Sequence, residues 1–164
     1  MPAEPTAESP QALLDHLSCA IGATFAVLLR LSAEDQTLRP VAQYNWPTAF
    51  RGWLTGLRIR VGDGPSGVAV AERRWVEVPD VHADTVPVDW GVVGRELGFA
   101  GMVVAPVLTA EGPVGAVACY FADGAVVTDA QRTLLHAAAD QLGTVMRLGQ
   151  RPPPPIGAQR ILHR

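Results

Sequence analysis

Gly62-Asp63-Gly64-Pro65-Ser66-Gly67-Val68-Ala69 is the stretch on which the fold turns. Just before it, Leu57, Ile59 and Val61 alternate with Arg58 and Arg60, the pattern of a half-exposed strand. Just after it, the small residues of Val68 to Arg73 suit a short helix. Gly62, Gly64 and Gly67 permit positive φ or close backbone approach where a strand turns abruptly into a helix. Upstream, Ser9-Pro10 supplies an N-cap followed by proline at the first helical position. Leu13, Leu14, Leu17 and Ile21 then recur at helical spacing, and Gly22 marks the stop. Thr24 to Leu31 and Leu38 to Tyr44 read as strands joined by a turn at Ala33 to Gln36, while Trp46 to Trp53 fits a short helix or a loop.

Downstream, Trp75 to Val78 reads as a short strand and Asp80 to Pro87 as a polar loop. Asp89 can cap a short helix with Trp90, Val93 and Leu97 on one face. Gly91 and Gly94 weaken that helix by about 1 kcal/mol each relative to alanine. Gly101 to Leu108 and Val114 to Phe121 form the strongest strand pair, across Glu111-Gly112-Pro113. Thr128 and Gln131 make a capping box that opens the longest helix, whose buried stripe is Leu135, Ala138, Leu142, Val145 and Met146. The elements therefore predict an α+β fold: a central antiparallel β-sheet with the N- and C-terminal helices free to pack on one face. Residues 1–9 read as a flexible leader, 10–149 as the domain, and 150–164 as a Pro-rich tail with the polyproline run Pro152 to Pro155.

The 164 residues are 48% hydrophobic and 18% charged, which argues for a well-filled core rather than general disorder. A net charge of -3 supplies no basic field, so nucleic acid is not expected as a partner. All 13 basic residues are arginine. The absence of lysine excludes a Walker A phosphate loop, Schiff-base chemistry and a lysine general base. Two cysteines, Cys19 and Cys119, are too few for a disulfide scaffold or a thiolate metal site, and both read as packed small hydrophobes. No apolar run is long enough for a membrane span, and Met1 to Gln11 lacks the basic start of a secretory signal, so the chain reads as cytoplasmic.

The ordered set Gly62 to Ala69, Val76-Glu77-Val78-Pro79-Asp80-Val81, Val104-Ala105-Pro106-Val107, Val114 to Ala118 and Thr128-Asp129 resembles the GAF domain family of small-molecule sensors. The resemblance covers about Pro10 to Gly149. It implies a pocket on the sheet face opposite the terminal helices, roofed by short helices and loops. It also implies a homodimer through the terminal helices, with Leu13, Leu17, Leu135 and Leu142 as its expected faces.

Each chemistry associated with such domains can be set against these residues. Val78-Pro79-Asp80-Val81-His82-Ala83 is similar to a run in free methionine sulfoxide reductases. Ser66, however, stands where their first cysteine falls, and a hydroxyl cannot perform thiol–disulfide exchange. Covalent bilin attachment fails for the same want of a cysteine. Haem ligation would rest on His82 alone, and no residue set has metal-ligand spacing. The lysine-containing cyclic-nucleotide signature of phosphodiesterase GAF domains cannot be assembled. Glycine-shaped amides at a helix start, with Arg95 for a bidentate contact, suit an anionic group. Four tryptophans, Trp46, Trp53, Trp75 and Trp90, mostly flank the expected pocket. The expectation is a non-catalytic sensor with no cofactor or metal, binding an unidentified small molecule through Ser66, His82, Trp90, Arg95 and Tyr120. A ligand-free interaction or dimerisation module is the alternative, and a separate effector protein is the expected recipient of the signal. The basic residues Arg147, Arg151, Arg160 and Arg164 offer the tail a contact to an acidic partner.

Overall fold

The computed structural model describes residues 9–82, 88–123 and 127–149, with the side chains of 88–91 and 148–149 outside that description. The expected leader (except Ser9), most of the expected 80–87 loop, the Trp90 side chain and the tail therefore lie outside it. The chain opens with helix α1, Pro10–Ile21. The Ser9 hydroxyl accepts from the Ala12 amide at 3.1 Å, and Gly22 closes the helix at φ 73°. Strands β1 (Phe25–Ser32) and β2 (Thr37–Tyr44) follow as a hairpin. In its turn the Thr37 hydroxyl, and then Arg39, hold the Asp35 carboxyl down to about 2. Helix α2 spans Thr48–Thr55, β3 Ile59–Arg60, α3 Gly64–Glu72, β4 Val76–Val78 and α4 Val88–Leu97. The chain ends in β5 (Gly101–Thr109), β6 (Gly112–Phe121) and the 21-residue α5, Asp129–Gly149.

The six strands form one sheet in the order β3-β2-β1-β6-β5-β4, each antiparallel to its neighbours. Alternation along the strands assigns side chains to two faces. Ala26 and Leu28 of β1, Val103, Ala105 and Val107 of β5, and Val117, Cys119 and Phe121 of β6 meet α1 and α5. Phe25, Val27, Leu29, Met102, Val104, Ala116, Ala118 and Tyr120 point the other way, toward α2, α3 and α4. Because both faces of the central strands are covered, β5 and β6 read as near-continuous apolar runs. This is the expected α+β arrangement.

Helix α5 begins as the capping box requires: the Gln131 amide donates to the Thr128 hydroxyl at 3.1 Å, and the Thr128 amide donates to Gln131 Oε1 at 2.8 Å. The Gln131 side chain also donates to the Ile21 carbonyl at 2.8 Å, which ties the start of α5 to the end of α1. That second tie was not legible in the sequence, since it joins positions that only the fold brings together.

Several element boundaries differ from expectation. Helix α4 starts at Val88, so Asp89 lies inside it rather than capping it, and β6 starts at Gly112 rather than Val114. Helix α3 starts at Gly64 rather than Val68, so it begins inside the glycine stretch. Pro65 occupies its first turn, and Gly67 rests so closely on the Arg60 carbonyl that no Cβ fits. The strand expected over Leu57 to Val61 contracts to two paired residues, because Thr37 and Leu38 are the β2 partners it meets. Among the described residues, no helix is long and apolar enough to cross a membrane.

Candidate functional site

The face covered by α2, α3 and α4 holds an aromatic cluster. Trp46, with 1% of its surface exposed, packs edge-on against Tyr120 at 5.7 Å and tilted against Phe25 at 5.7 Å. Phe99 lies 4.7 Å from Tyr120 and 6.2 Å from Phe25. Aromatic pairs at these separations add about 0.5–1.5 kcal/mol each beyond their buried area. The Trp46 indole N–H is satisfied by the Ala26 carbonyl at 3.0 Å. Trp53, on α2, stacks on Trp46 at 6.1 Å with 41% of its own surface exposed, extending the aromatic column to solvent.

Two of the expected site residues enter this interior. Tyr120 is fully buried on β6, and desolvation, reinforced by neighbouring Cys119, pushes its phenol well above the usual range. It stays a neutral hydroxyl. Ser66 is 2% exposed on the inner side of α3. The side chains of His82 and Arg95 are exposed. Both adjoin the same layer through their neighbours, since Val81 and Val93 belong to its buried cluster. The His82 amide donates to Asp80 Oδ1 at 2.9 Å, which fixes the turn after β4. Gly94 lets α4 lie against the Phe99 carbonyl and Val81, where an added Cβ would stand 2.9 Å and 3.0 Å away. The fifth residue, Trp90, lies on α4, and its side chain falls outside the described residues.

Several sequence expectations need correction. Trp75 does not flank this layer. It packs half-buried on the α5 side of the sheet, with Arg132 5.6 Å above its ring and the His136 ring at 6.5 Å. Cys19 is exposed rather than packed, with its sulfur 3.5 Å from the Tyr44 hydroxyl. Cys119 is buried, as expected, and its thiol is pushed up to about 12 by desolvation. Both thiols therefore lie away from the aromatic layer, Cys119 among the side chains that meet α1 and α5 and Cys19 on α1 itself. The leucines expected to form dimer faces are absorbed by the intrachain core: Leu13 is 8% exposed, Leu17 4%, and Leu135 and Leu142 are fully buried.

On the helix side a groove of about 620 Å³ lies open between α1 and α5, with His16, Ala20, Leu134 and Ala137 among its walls. Among the described residues, no group of three or more His, Cys, Asp or Glu side chains is placed to hold a metal ion. Trp46 is the residue of this aromatic layer least legible in the sequence. It sits in a stretch with neither clear period, and only the fold shows its burial against β1 and β6.

A family model described as GAF domain matches residues 10–147. No curated protein shows significant similarity to the chain. Among solved structures, the GAF domain of a phosphoenolpyruvate-protein phosphotransferase from Coxiella burnetii is similar at a TM-score of 0.74 and 15% identity, over 90% of this chain and 86% of that one. A domain assigned to a two-component sensor histidine kinase protein from Sinorhizobium meliloti 1021 has a TM-score of 0.69 and 17% identity, over 96% and 99%. The type II free methionine-R-sulfoxide reductase from Thermoplasma acidophilum has 0.67 and 18%, over 84% and 89%. At such identities the likeness is one of fold.

Proposed function

Because the chain belongs to the GAF domain family, we propose that it is a non-catalytic, cytoplasmic sensor unit that binds a small molecule on the α3/α4 side of the sheet. Ser66 and Tyr120 supply hydroxyls from the interior, Arg95 and His82 supply polar contacts at the rim, and Trp90 covers the ligand. One observation carries this reading. Ser66 of α3 and Tyr120 of β6 are buried hydroxyl-bearing residues on the side of the sheet whose buried cluster is otherwise apolar and aromatic and includes Val93 of α4, the helix that contains Gly91 and Gly94. Ligand sites combine apolar walls with a few placed polar groups in this way. Strand β6 offers the route outward, since Tyr120 faces the site while Cys119 and Phe121 face α1 and α5. A ligand that binds better to one arrangement of α4 would shift the population and alter the helix-side surface read by a separate effector.

The position of the thiols supports a non-catalytic role. Free methionine sulfoxide turnover needs cysteine beside the substrate, and here Ser66 takes that place while both cysteines lie away from the aromatic layer. The purified chain should show no reductant-coupled loss of methionine sulfoxide, and turnover would overturn this part of the reading.

The dense aromatic packing favours a second reading, a ligand-free interaction module, because Trp46 and Phe99 at 1% exposure and Tyr120 at 0% already fill much of the layer. Native mass spectrometry and a thermal-shift panel of small anions, amino acids and nucleotides separate the two. The sensor reading expects bound mass or a raised Tm that Arg95→Ala reduces more than Arg39→Ala, the latter a distant arginine paired with Asp35 at 2.6 Å. No shift with any probe supports the interaction module, and equal effects of the two substitutions remove Arg95 from the site.

A further inference from the structure

Arg132, His136, Asp140, Gly143 and Arg147 follow one another at steps of three and four along α5, and so make a single stripe. Two hollows lie along it. One, of about 480 Å³, is walled by Trp75, Arg132, Thr133, His136, Ala137 and Asp140. The other, of about 240 Å³, is walled by Leu108, Thr109 and Ala110 at the end of β5 and by Asp140, Gly143, Thr144 and Arg147. They share Asp140 and therefore form one track, with an indole at its far end and Arg147 at its near end. Its floor near Gly143 is shallow because α5 lies against the Leu108 carbonyl, where an added Cβ would stand at 2.7 Å. Leu108 is 40% exposed there.

We infer that this track is the docking site of the chain's own proline-rich segment, Gln150 to Ile156. Three observations converge on that occupant. The segment leaves α5 at Gly149, two residues past Arg147, so it starts at the mouth of the track. Its length also matches. From Arg147 back to His136 is 11 residues of helix, about 16 Å at the α-helical rise. Pro152 to Pro155 with Ile156 spans about 15 Å as polyproline II, which brings Ile156 level with Trp75 once Gln150 and Arg151 have reversed the chain.

The chemistry fits as well. Proline-rich segments in this pre-formed helix dock on aromatic-lined grooves, with little conformational entropy to lose. Trp75 is held for that task by Arg132, which lies over its ring and is itself paired with Glu77. The carboxylates along the track are Glu77, Asp140 and Glu111, and the guanidinium groups are those of Arg132 and Arg147, one fewer. Arg151 enters beside Glu111 and Asp140.

The test uses the full chain, labelled with nitrogen-15, with a nitroxide attached through an Ala158→Cys substitution in a Cys19→Ser background. The Trp75 indole N–H signal should lose most of its intensity, while those of Trp46 and Trp53, on the opposite side of the sheet, keep theirs. The loss should survive dilution and should be relieved by Ile156→Asp, which leaves the described fold untouched. An unaffected Trp75 signal overturns the proposal. A loss that disappears on dilution also overturns it, since the segment then comes from a second copy. A loss that Ile156→Asp fails to relieve does the same, because the segment then lacks the stated anchor.

Discussion

Gly115 sits in β6 opposite Arg30 of β1 and Val107 of β5, and a Cβ there would collide with the Leu29 carbonyl and come within 3.0 Å of Met146 Cε. The obstacle is backbone in the middle of a sheet, so relief requires shifting a strand. Gly115→Ala should cost about 3 kcal/mol of unfolding free energy in a urea melt. Gly52, in contrast, is exposed on α2 with nothing within 4 Å of an added Cβ, and Gly52→Ala should gain up to about 1 kcal/mol.

The cysteines differ as sharply. A disulfide-exchange reagent at mild alkaline pH should titrate Cys19 in the native chain and reach Cys119 only on unfolding, since Cys119 is fully buried. Burial keeps the Cys119 proton up to about pH 12 in the native state, whereas the unfolded thiol releases it near 9. The unfolded state then binds fewer protons, so stability must fall as pH rises through that window. Tyr120, also shifted upward, acts in the same direction. Cys119→Ala should flatten part of that fall in denaturant midpoints measured across pH 8 to 11.

At the scale of elements, the ends of the two long helices show how a local signal acquires a tertiary role. Thr128 and Gln131 announce a capping box by residue type and spacing. The Gln131 side-chain amide also donates to the last carbonyl of α1, that of Ile21. Replacing the N-cap alone, Thr128→Ala, should cost about 1 kcal/mol. Gln131→Ala keeps the backbone N–H that donates to Thr128 but loses the side-chain half of the box and the tie to Ile21. It should cost more than Thr128→Ala in the same urea melts, whereas equal costs would mean that the link between α1 and α5 carries no stability. The glycine stretch before α3 follows a related logic. Its residues forecast an abrupt change of direction, yet where the helix starts was set by the fit of Gly67 on the Arg60 carbonyl.

At the scale of the whole molecule, one sheet separates an aliphatic side from an aromatic side, and the helix side is not fully covered. Leu134 is 43% exposed on the α1/α5 groove, beside His16, Ala20 and Ala137. Association of two copies would use this surface, since Leu13, Leu17, Leu135 and Leu142 are already committed to the core. Light scattering on the full chain should show a dimer that Leu134→Glu converts to monomer without lowering Tm. A monomer before substitution would remove the dimer from the proposed sensor.

The amino-acid sequence by itself determined the order of the elements and the kind of all but α2, whose stretch read equally as a loop, because helical and strand periods, caps and glycines act between residues close along the chain. It also determined that lysine chemistry is unavailable and that cysteine is confined to positions 19 and 119, which is a matter of composition. Tertiary structure alone decided which side of the sheet Trp46 and Trp75 occupy. Trp46 went to the aromatic layer and Trp75 to the flank of α5, and nothing within either one's local sequence fixes that choice. It likewise decided that Cys19 stays exposed and that the helix leucines are spent inside one chain. Burial depends on which distant segments arrive to cover a residue, and that is a property of the packed sheet rather than of its neighbours along the chain.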